Sequence, residues 1–145
     1  MRNTPKILLV EDDQHDIELT LSALVESVVP KHEIFVVNDG EAALNYIFRQ
    51  GEFSNRDENN PHLILLDIKM PKIDGHEVLR RVKSDPQFKQ IPIVMLTSSR
   101  MEQDIRKCYE YGVNAYVVKP VNYFEFKESV QSLGNFWINW NLVVL

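Results

Sequence analysis

The feature that most limits the folds open to this chain is a set of four short apolar runs, each stopped by a polar residue. Ile7-Leu8-Leu9-Val10 ends at Glu11-Asp12-Asp13, and Leu63-Ile64-Leu65-Leu66 ends at Asp67. Ile93-Val94-Met95-Leu96 runs into Thr97-Ser98, and Ala115-Tyr116-Val117-Val118 into Lys119-Pro120. The runs near Ile7, Leu63 and Ile93 lack alternation, as expected for strands covered by helices on both faces. If the four are parallel strands of one sheet, their carboxyl ends share an edge, which is where open α/β sheets place ligands. Acids, a hydroxyl and an amine would then meet in one pocket.

Stretches with helical spacing separate the runs. Ile17, Leu21, Leu24, Val25 and Val28 form one apolar stripe, and Met101, Ile105, Cys108 and Tyr109 repeat the pattern. Phe126, Val130, Leu133, Trp137 and Trp140 form a third stripe near the C-terminus. Glu33 to Val37 reads as a further, shorter strand. Helix starts are expected at Asp74-x-x-Glu77, Ser99-x-x-Glu102 and Asn122-x-x-Glu125, of which only the serine case is a strict capping box. The order is β-α five times over, which predicts a five-stranded parallel sheet with right-handed crossovers. Residues 51–61 form a polar loop longer than the usual two to six residues. The tail from Phe136 to Leu145 is unusually apolar for a terminus.

At 145 residues the chain suits one domain, residues 1–145, with an apolar extension from about 135 to 145. Net charge is −5 with acids and bases mixed, and no basic block appears, which argues against direct nucleic-acid binding. Cys108 is the sole cysteine, so an intrachain disulfide is excluded and a reducing cytoplasm fits. No apolar stretch approaches the roughly 18 residues of a membrane span, and no signal-peptide core precedes the first run.

Glu11, Asp12 and Asp67 would place three carboxylates in one pocket. At ~4 Å and an effective dielectric near 20, each like-charged pair costs about 4 kcal/mol, so the cluster needs a cation. Oxygen ligands suit Mg²⁺ or Mn²⁺. The plainer account of Glu11-Asp12-Asp13 is that acids gather at helix N-termini; Asp67, closing a different strand, favours the metal. Asp67 is the natural nucleophile, able to take a phosphoryl group as an acyl phosphate. Lys119 would face the phosphoryl oxygens, Thr97 would bond one of them, and backbone N–H groups near Lys69 and Ser98 could bond others. Lys119-Pro120 is a candidate cis peptide that would turn the lysine toward the pocket. In the loop Met70-Pro71-Lys72-Ile73-Asp74-Gly75, Gly75 is free to take positive φ.

Val10-Glu-Asp-Asp13, Leu66-Asp-Ile-Lys-Met-Pro-Lys-Ile-Asp-Gly75, Leu96-Thr-Ser98 and Val118-Lys-Pro120 resemble the four signatures of response-regulator receiver domains. The resemblance covers the chain from about Lys6 to about Gly134. It implies a flavodoxin-like (βα)5 fold, strand order 2-1-3-4-5, that takes phosphate from a histidine kinase onto Asp67. It also implies that Asp12, Asp67 and the carbonyl of Lys69 ligate Mg²⁺ directly, with Glu11 acting through water. Thr97 and Tyr116 match the family's switch pair, while Lys69 and Ser99 match the positions that bear on phosphate lifetime. Such a protein is a phosphoacceptor in signalling, with slow autodephosphorylation, rather than an enzyme.

About 25 residues follow the last strand, enough for one helix and a tail, so the expected output is protein–protein contact without an output domain. The long loop and aromatic tail look similar to the small regulators of cyanobacterial and bacterial phytochrome kinases, implying a light-regulated histidine kinase as partner and a homodimer. Phe136, Trp137, Trp140 and Leu142 either continue the Phe126 stripe into the core or form a dimer patch. Two rivals share the architecture. A flavodoxin-type cofactor binder would present donors, not acids, after the first strand. A phosphatase of the Asp-x-Asp type would need an acid where Lys69 stands. A degenerate receiver that binds partners without phosphorylation is the nearer alternative.

Overall fold

The computed structural model describes residues 6–143. Five strands, β1 (Ile7–Val10), β2 (Ile34–Val37), β3 (Leu63–Leu66), β4 (Ile93–Thr97) and β5 (Ala115–Val118), pair in parallel in the order β2-β1-β3-β4-β5. Five helices connect and follow them: α1 (Gln14–Ser27), α2 (Gly40–Phe48), α3 (Gly75–Ser84), α4 (Glu102–Glu110) and α5 (Tyr123–Asn135). The architecture is the doubly wound, flavodoxin-like one expected from the order of runs.

Every residue of β1, β3 and β4 is buried, which is why these strands read as unbroken apolar runs. Alternate residues still serve opposite layers. Leu8, Val10, Ile64, Leu66 and Met95 pack with Leu44, Val78, Leu79 and Cys108 of α2, α3 and α4. Ile7, Leu9, Leu63, Leu65 and Val94 pack with Ile17, Leu24, Phe126 and Val130 of α1 and α5. At the α1–α5 contact a Cβ on Gly134 would lie 2.8 Å from Leu24 Cδ2, so a larger residue there would make the Leu24 side chain shift.

Side-chain caps fix four of the five helix starts. Asp13, Asp39, Asp74 and Asn122 accept from the N–H groups of Asp16, Ala42, Glu77 and Glu125. The expected Ser99 box does not form. α4 begins at Glu102 behind Met101, which offers no side-chain cap; Ser99 lies two residues earlier, where its Oγ accepts from Met101 N–H at 3.3 Å and its hydroxyl donates to Asp104 Oδ2 at 2.6 Å.

Other expectations shift. Glu33 closes a 3₁₀ turn and β2 starts at Ile34. On α1, Thr20 and Ala23 take buried places while Val25 is exposed. On α4 only Cys108 is buried, with Met101 and Tyr109 exposed. The long connector is not an open loop. It contains a 3₁₀ turn, Gly51–Phe53, whose Phe53 ring meets Phe35 and Tyr46 edge-on at 5.7 and 5.2 Å. Buried Arg56 stacks 4.2 Å over the Tyr46 ring and donates to the carbonyls of Tyr46 and Glu58.

After α5 the chain widens into a π-helix, Phe136–Trp140, closed by Asn141 N–H donating to the Phe136 carbonyl at 2.7 Å. Trp137 packs half-buried against the α1–α5 layer, whereas Phe136, Trp140 and Leu142 are exposed. The core reading of the tail therefore holds for Trp137 and fails for Trp140. Residues 144 and 145 of the extension lie outside the described residues.

Candidate functional site

The strand ends meet as the sequence pattern requires. Glu11 follows β1, Asp67 follows β3, Thr97 ends β4 and Lys119 follows β5. Carboxylate oxygens of Glu11, Asp12 and Asp67 lie within 4.8 Å of one another. Glu11 and Asp67 are buried and Asp12 is exposed. This oxygen-only donor set, open on the Asp12 side, fits a hard divalent cation such as Mg²⁺ or Mn²⁺.

Lys119 supplies the charge that the acids need. Its Nζ donates to Glu11 Oε1, Asp16 Oδ2 and Asp67 Oδ2 at 2.6, 2.8 and 3.1 Å, which uses all three ammonium hydrogens. Burial works against the ammonium, but the bonds to Asp16 and Glu11 and the charge of Asp67 outweigh it and hold Lys119 above its ordinary range. Burial and the neighbouring Asp67 charge push Glu11 up to about 7, although Lys119 opposes the shift. The lysine reaches the acids through a trans peptide, since no cis bond occurs among the described residues. Its backbone N–H, bonded to the Thr97 carbonyl at 2.7 Å, already aims the chain across the edge, and the commoner trans isomer suffices.

Asp67 is oriented from below. Its Oδ1 accepts from Ile68 N–H at 2.7 Å, and Gly75 N–H donates to the Ile68 carbonyl at 2.7 Å. A Cβ on Gly75 would fall 2.1 Å from the Asp67 carbonyl oxygen. Close approach is therefore what requires glycine there. The left-handed residue of this loop is Lys72, at φ 69°, and not Gly75.

Beside Asp67 lies a cleft of about 250 Å³ lined by Lys69, Thr97, Ser98, Ser99, Arg100 and Met101 as well as the aspartate. Thr97 is buried and its Oγ1 accepts from Ser99 N–H at 3.3 Å. Tyr116 is half-buried against the α2–α4 layer, with its hydroxyl donating to the Ser99 carbonyl at 3.0 Å. All the residues expected at the edge are thus brought together, while Phe136, Trp140 and Leu142 lie on a separate surface. The sequence reading passed over Asp16. Its signal was its spacing, one helical turn beyond Asp12, on the turn that opens α1 toward the same edge.

A doubly wound parallel sheet with acids, a hydroxyl and an amine at its carboxyl edge is the arrangement of the two-component receiver class. Residues 7–131 match the response regulator receiver domain model, and the chain belongs to that family. It is 42% identical over 137 residues to response regulator Rcp1 of Synechocystis sp. (strain ATCC 27184 / PCC 6803 / Kazusa), covering 94% of this chain and 91% of that protein. Among solved structures, the phosphorylated cyanobacterial phytochrome response regulator RcpA superposes with a TM-score of 0.90 at 42% identity, covering 98% and 99% of the two chains. The Mn²⁺-bound form of response regulator Rcp1 gives 0.88 at 38% identity, covering 97% and 100%. No helix among the described residues is long and apolar enough to cross a membrane.

Proposed function

We propose that this receiver accepts a phosphoryl group on Asp67 from a phosphohistidine of a histidine kinase and signals by protein contact. The observation that carries the reading is the convergence of Glu11, Asp12 and Asp67 within 4.8 Å, with Lys119 Nζ bonded to Asp67. An Asp67 carboxylate oxygen attacks phosphorus, the P–N bond breaks, and the imidazole leaves with the bonding pair. Glu11, Asp12, Asp67 and the Lys69 carbonyl would hold Mg²⁺ or Mn²⁺, which neutralises carboxylate and phosphoryl oxygens together. Lys119, already charged and held by three acids, can release one and donate to a phosphoryl oxygen; Thr97 can donate to another.

The same residues give a switch. Thr97 gains an acceptor on the Asp67 side, and Tyr116 must surrender the Ser99 carbonyl to move. The new charge shifts a population between two arrangements of the β4–α4 loop and the α4–β5–α5 face. Lys69, exposed in the cleft beside Asp67, shields the acyl phosphate from water, and Ser99 shares that control of lifetime.

The likeness to RcpA supports a phytochrome-type kinase as donor, and membership of the receiver family fits a cytoplasmic place of action. Exposed Phe136, Trp140 and Leu142 support a homodimer, with Trp137 as its inner wall. Light scattering across concentrations, with and without phosphate, tests that part, and a monomer throughout removes it. The central test is intact mass after incubation with Mg²⁺ and acetyl phosphate, beside Asp67→Asn. A Mg²⁺-dependent gain of one phosphoryl group in the parent alone is expected. No gain from acetyl phosphate or from a kinase donor would favour a phosphate-independent binding module.

A further inference from the structure

Asp104, in the first turn of α4, joins two other parts of the molecule. Its Oδ1 accepts from His76 Nε2 at 3.1 Å and its Oδ2 from Ser99 Oγ at 2.6 Å. These two bonds, from Ser99 first and then from His76, hold the Asp104 carboxyl below its ordinary range. His76 is buried in the first turn of α3, and its Nδ1 faces Cys108 Sγ at 3.5 Å. With the ring proton on Nε2 the donors and acceptors close into a chain. The thiol donates to Nδ1, Nε2–H donates to Asp104, and the Ser99 hydroxyl donates to the other carboxylate oxygen.

Little else anchors α4. Cys108 is its only buried side chain, and Met101 at its start supplies no cap. Ser99, the far end of the chain, touches both switch residues. Its N–H donates to Thr97 Oγ1, its carbonyl accepts from Tyr116 at 3.0 Å, and its Oγ accepts from Met101 N–H at 3.3 Å. The bonds that tie this loop to Thr97 Oγ1 and to the Tyr116 hydroxyl therefore pass through a residue bonded to Asp104.

We infer that His76 and Asp104 are positioning residues for the phosphoacceptor pocket, holding the β4–α4 loop through Ser99 in a resting arrangement that phosphorylation must loosen. The inference rests on the proposed acceptor role of Asp67. Neither residue touches the reacting atoms. Thr97 cannot swing toward a phosphoryl group without disturbing the Ser99 N–H, and Tyr116 cannot move without losing the Ser99 carbonyl. The Cys108–His76–Asp104–Ser99 chain thus weights the population toward the unphosphorylated form.

The test compares the parent, His76→Leu, His76→Gln and Asp104→Ala. The first readout is hydrogen exchange of residues 98–106 in the metal-free protein. The second is the initial rate of phosphoryl gain from acetyl phosphate with Mg²⁺. Loss of one hydrogen bond to a charged group in His76→Leu should speed exchange and phosphorylation by about ten- to hundredfold, and Asp104→Ala, which removes both the His76 and the Ser99 bonds, by at least as much. His76→Gln, which restores an N–H donor toward Asp104, should return both values toward the parent. A pair that only packs α3 on α4 would not be rescued by Gln in this way. Unchanged exchange in both disruptive variants overturns the inference, and so does faster exchange with an unchanged phosphorylation rate. If the parent itself gains no mass, the acceptor reading has failed in that one sample. The exchange comparison then decides alone, with uniform exchange across the four proteins overturning the latch and separation of the variants supporting it.

Discussion

Replacing Lys119 by Met removes the one cation that, among the described residues, is bonded to three acids, and leaves their mutual repulsion in place. The ammonium is almost wholly buried, and so are its partners Glu11 and Asp67, with Asp16 more open. Removing one member of a buried charge cluster typically costs 3–5 kcal/mol. Two features pull the expectation to the lower end: Asp16 keeps access to water, and Glu11, pushed up to about 7, can take a proton and neutralise itself. We therefore expect a loss of about 3 kcal/mol in chelator, or a fall in Tm of roughly 6–12 °C for a domain of this size. A divalent ion at about a hundred times its Kd returns about 2.7 kcal/mol. In the variant it binds without a competing ammonium, so Mg²⁺ should recover most of the loss and raise Tm more than it does in the parent. Thermal denaturation followed by circular dichroism, in EDTA and in Mg²⁺, measures all four values. A variant melting within about 2 °C of the parent in EDTA, or equal Mg²⁺ shifts in both proteins, would refute the reasoning.

The remaining expectations concern the same edge. Because Glu11 is raised in the folded state from 4.5 to about 7, the native protein binds the extra proton across that window. This group's contribution to metal-free stability should therefore grow as pH falls from about 7 toward 4.5, while Mg²⁺ affinity weakens as the carboxylate is lost; denaturation and metal titration at several pH values, with Glu11→Gln as control, check both signs. Gly75→Ala puts a methyl group 2.1 Å from the Asp67 carbonyl oxygen, and should cost about 2–3 kcal/mol in urea denaturation and slow phosphoryl gain by displacing the aspartate. Lys69→Ala should lose its phosphoryl group faster than the parent by intact mass, and an equal decay would remove the shielding role.

What the sequence made legible follows from the strength of each signal. Strands buried on both faces cannot be disguised, so β1, β3 and β4 and the residues after them were readable, and with them the meeting of Glu11, Asp67, Thr97 and Lys119. Local hydrogen-bond competition was not readable. Ser99 has the spacing of a helix cap, yet it lies two residues before the Met101 N-cap, where its Oγ accepts from Met101 N–H, and α4 starts without a side-chain cap. Gly75 invited a turn argument when close approach to Asp67 was the cause. Met101, just before α4, and Tyr109 on it matched an apolar stripe but are exposed. His76 and Asp104 are 28 residues apart and carry no motif, so only their contact joins them.

The connector between α2 and β3 has a further consequence. Phe53 and Arg56 wall in Phe35 and Tyr46, so two residues of this otherwise largely exposed stretch belong to the packing of the domain. Surface connectors are where chains ordinarily accept insertions, nicks and new termini. Here that freedom is withdrawn. Shortening residues 51–60, or opening a circular permutant within them, would expose two stacked aromatic rings and strand the Arg56 guanidinium. Cargo, labels or grafted epitopes belong elsewhere on this scaffold, because its longest polar segment is among its least dispensable.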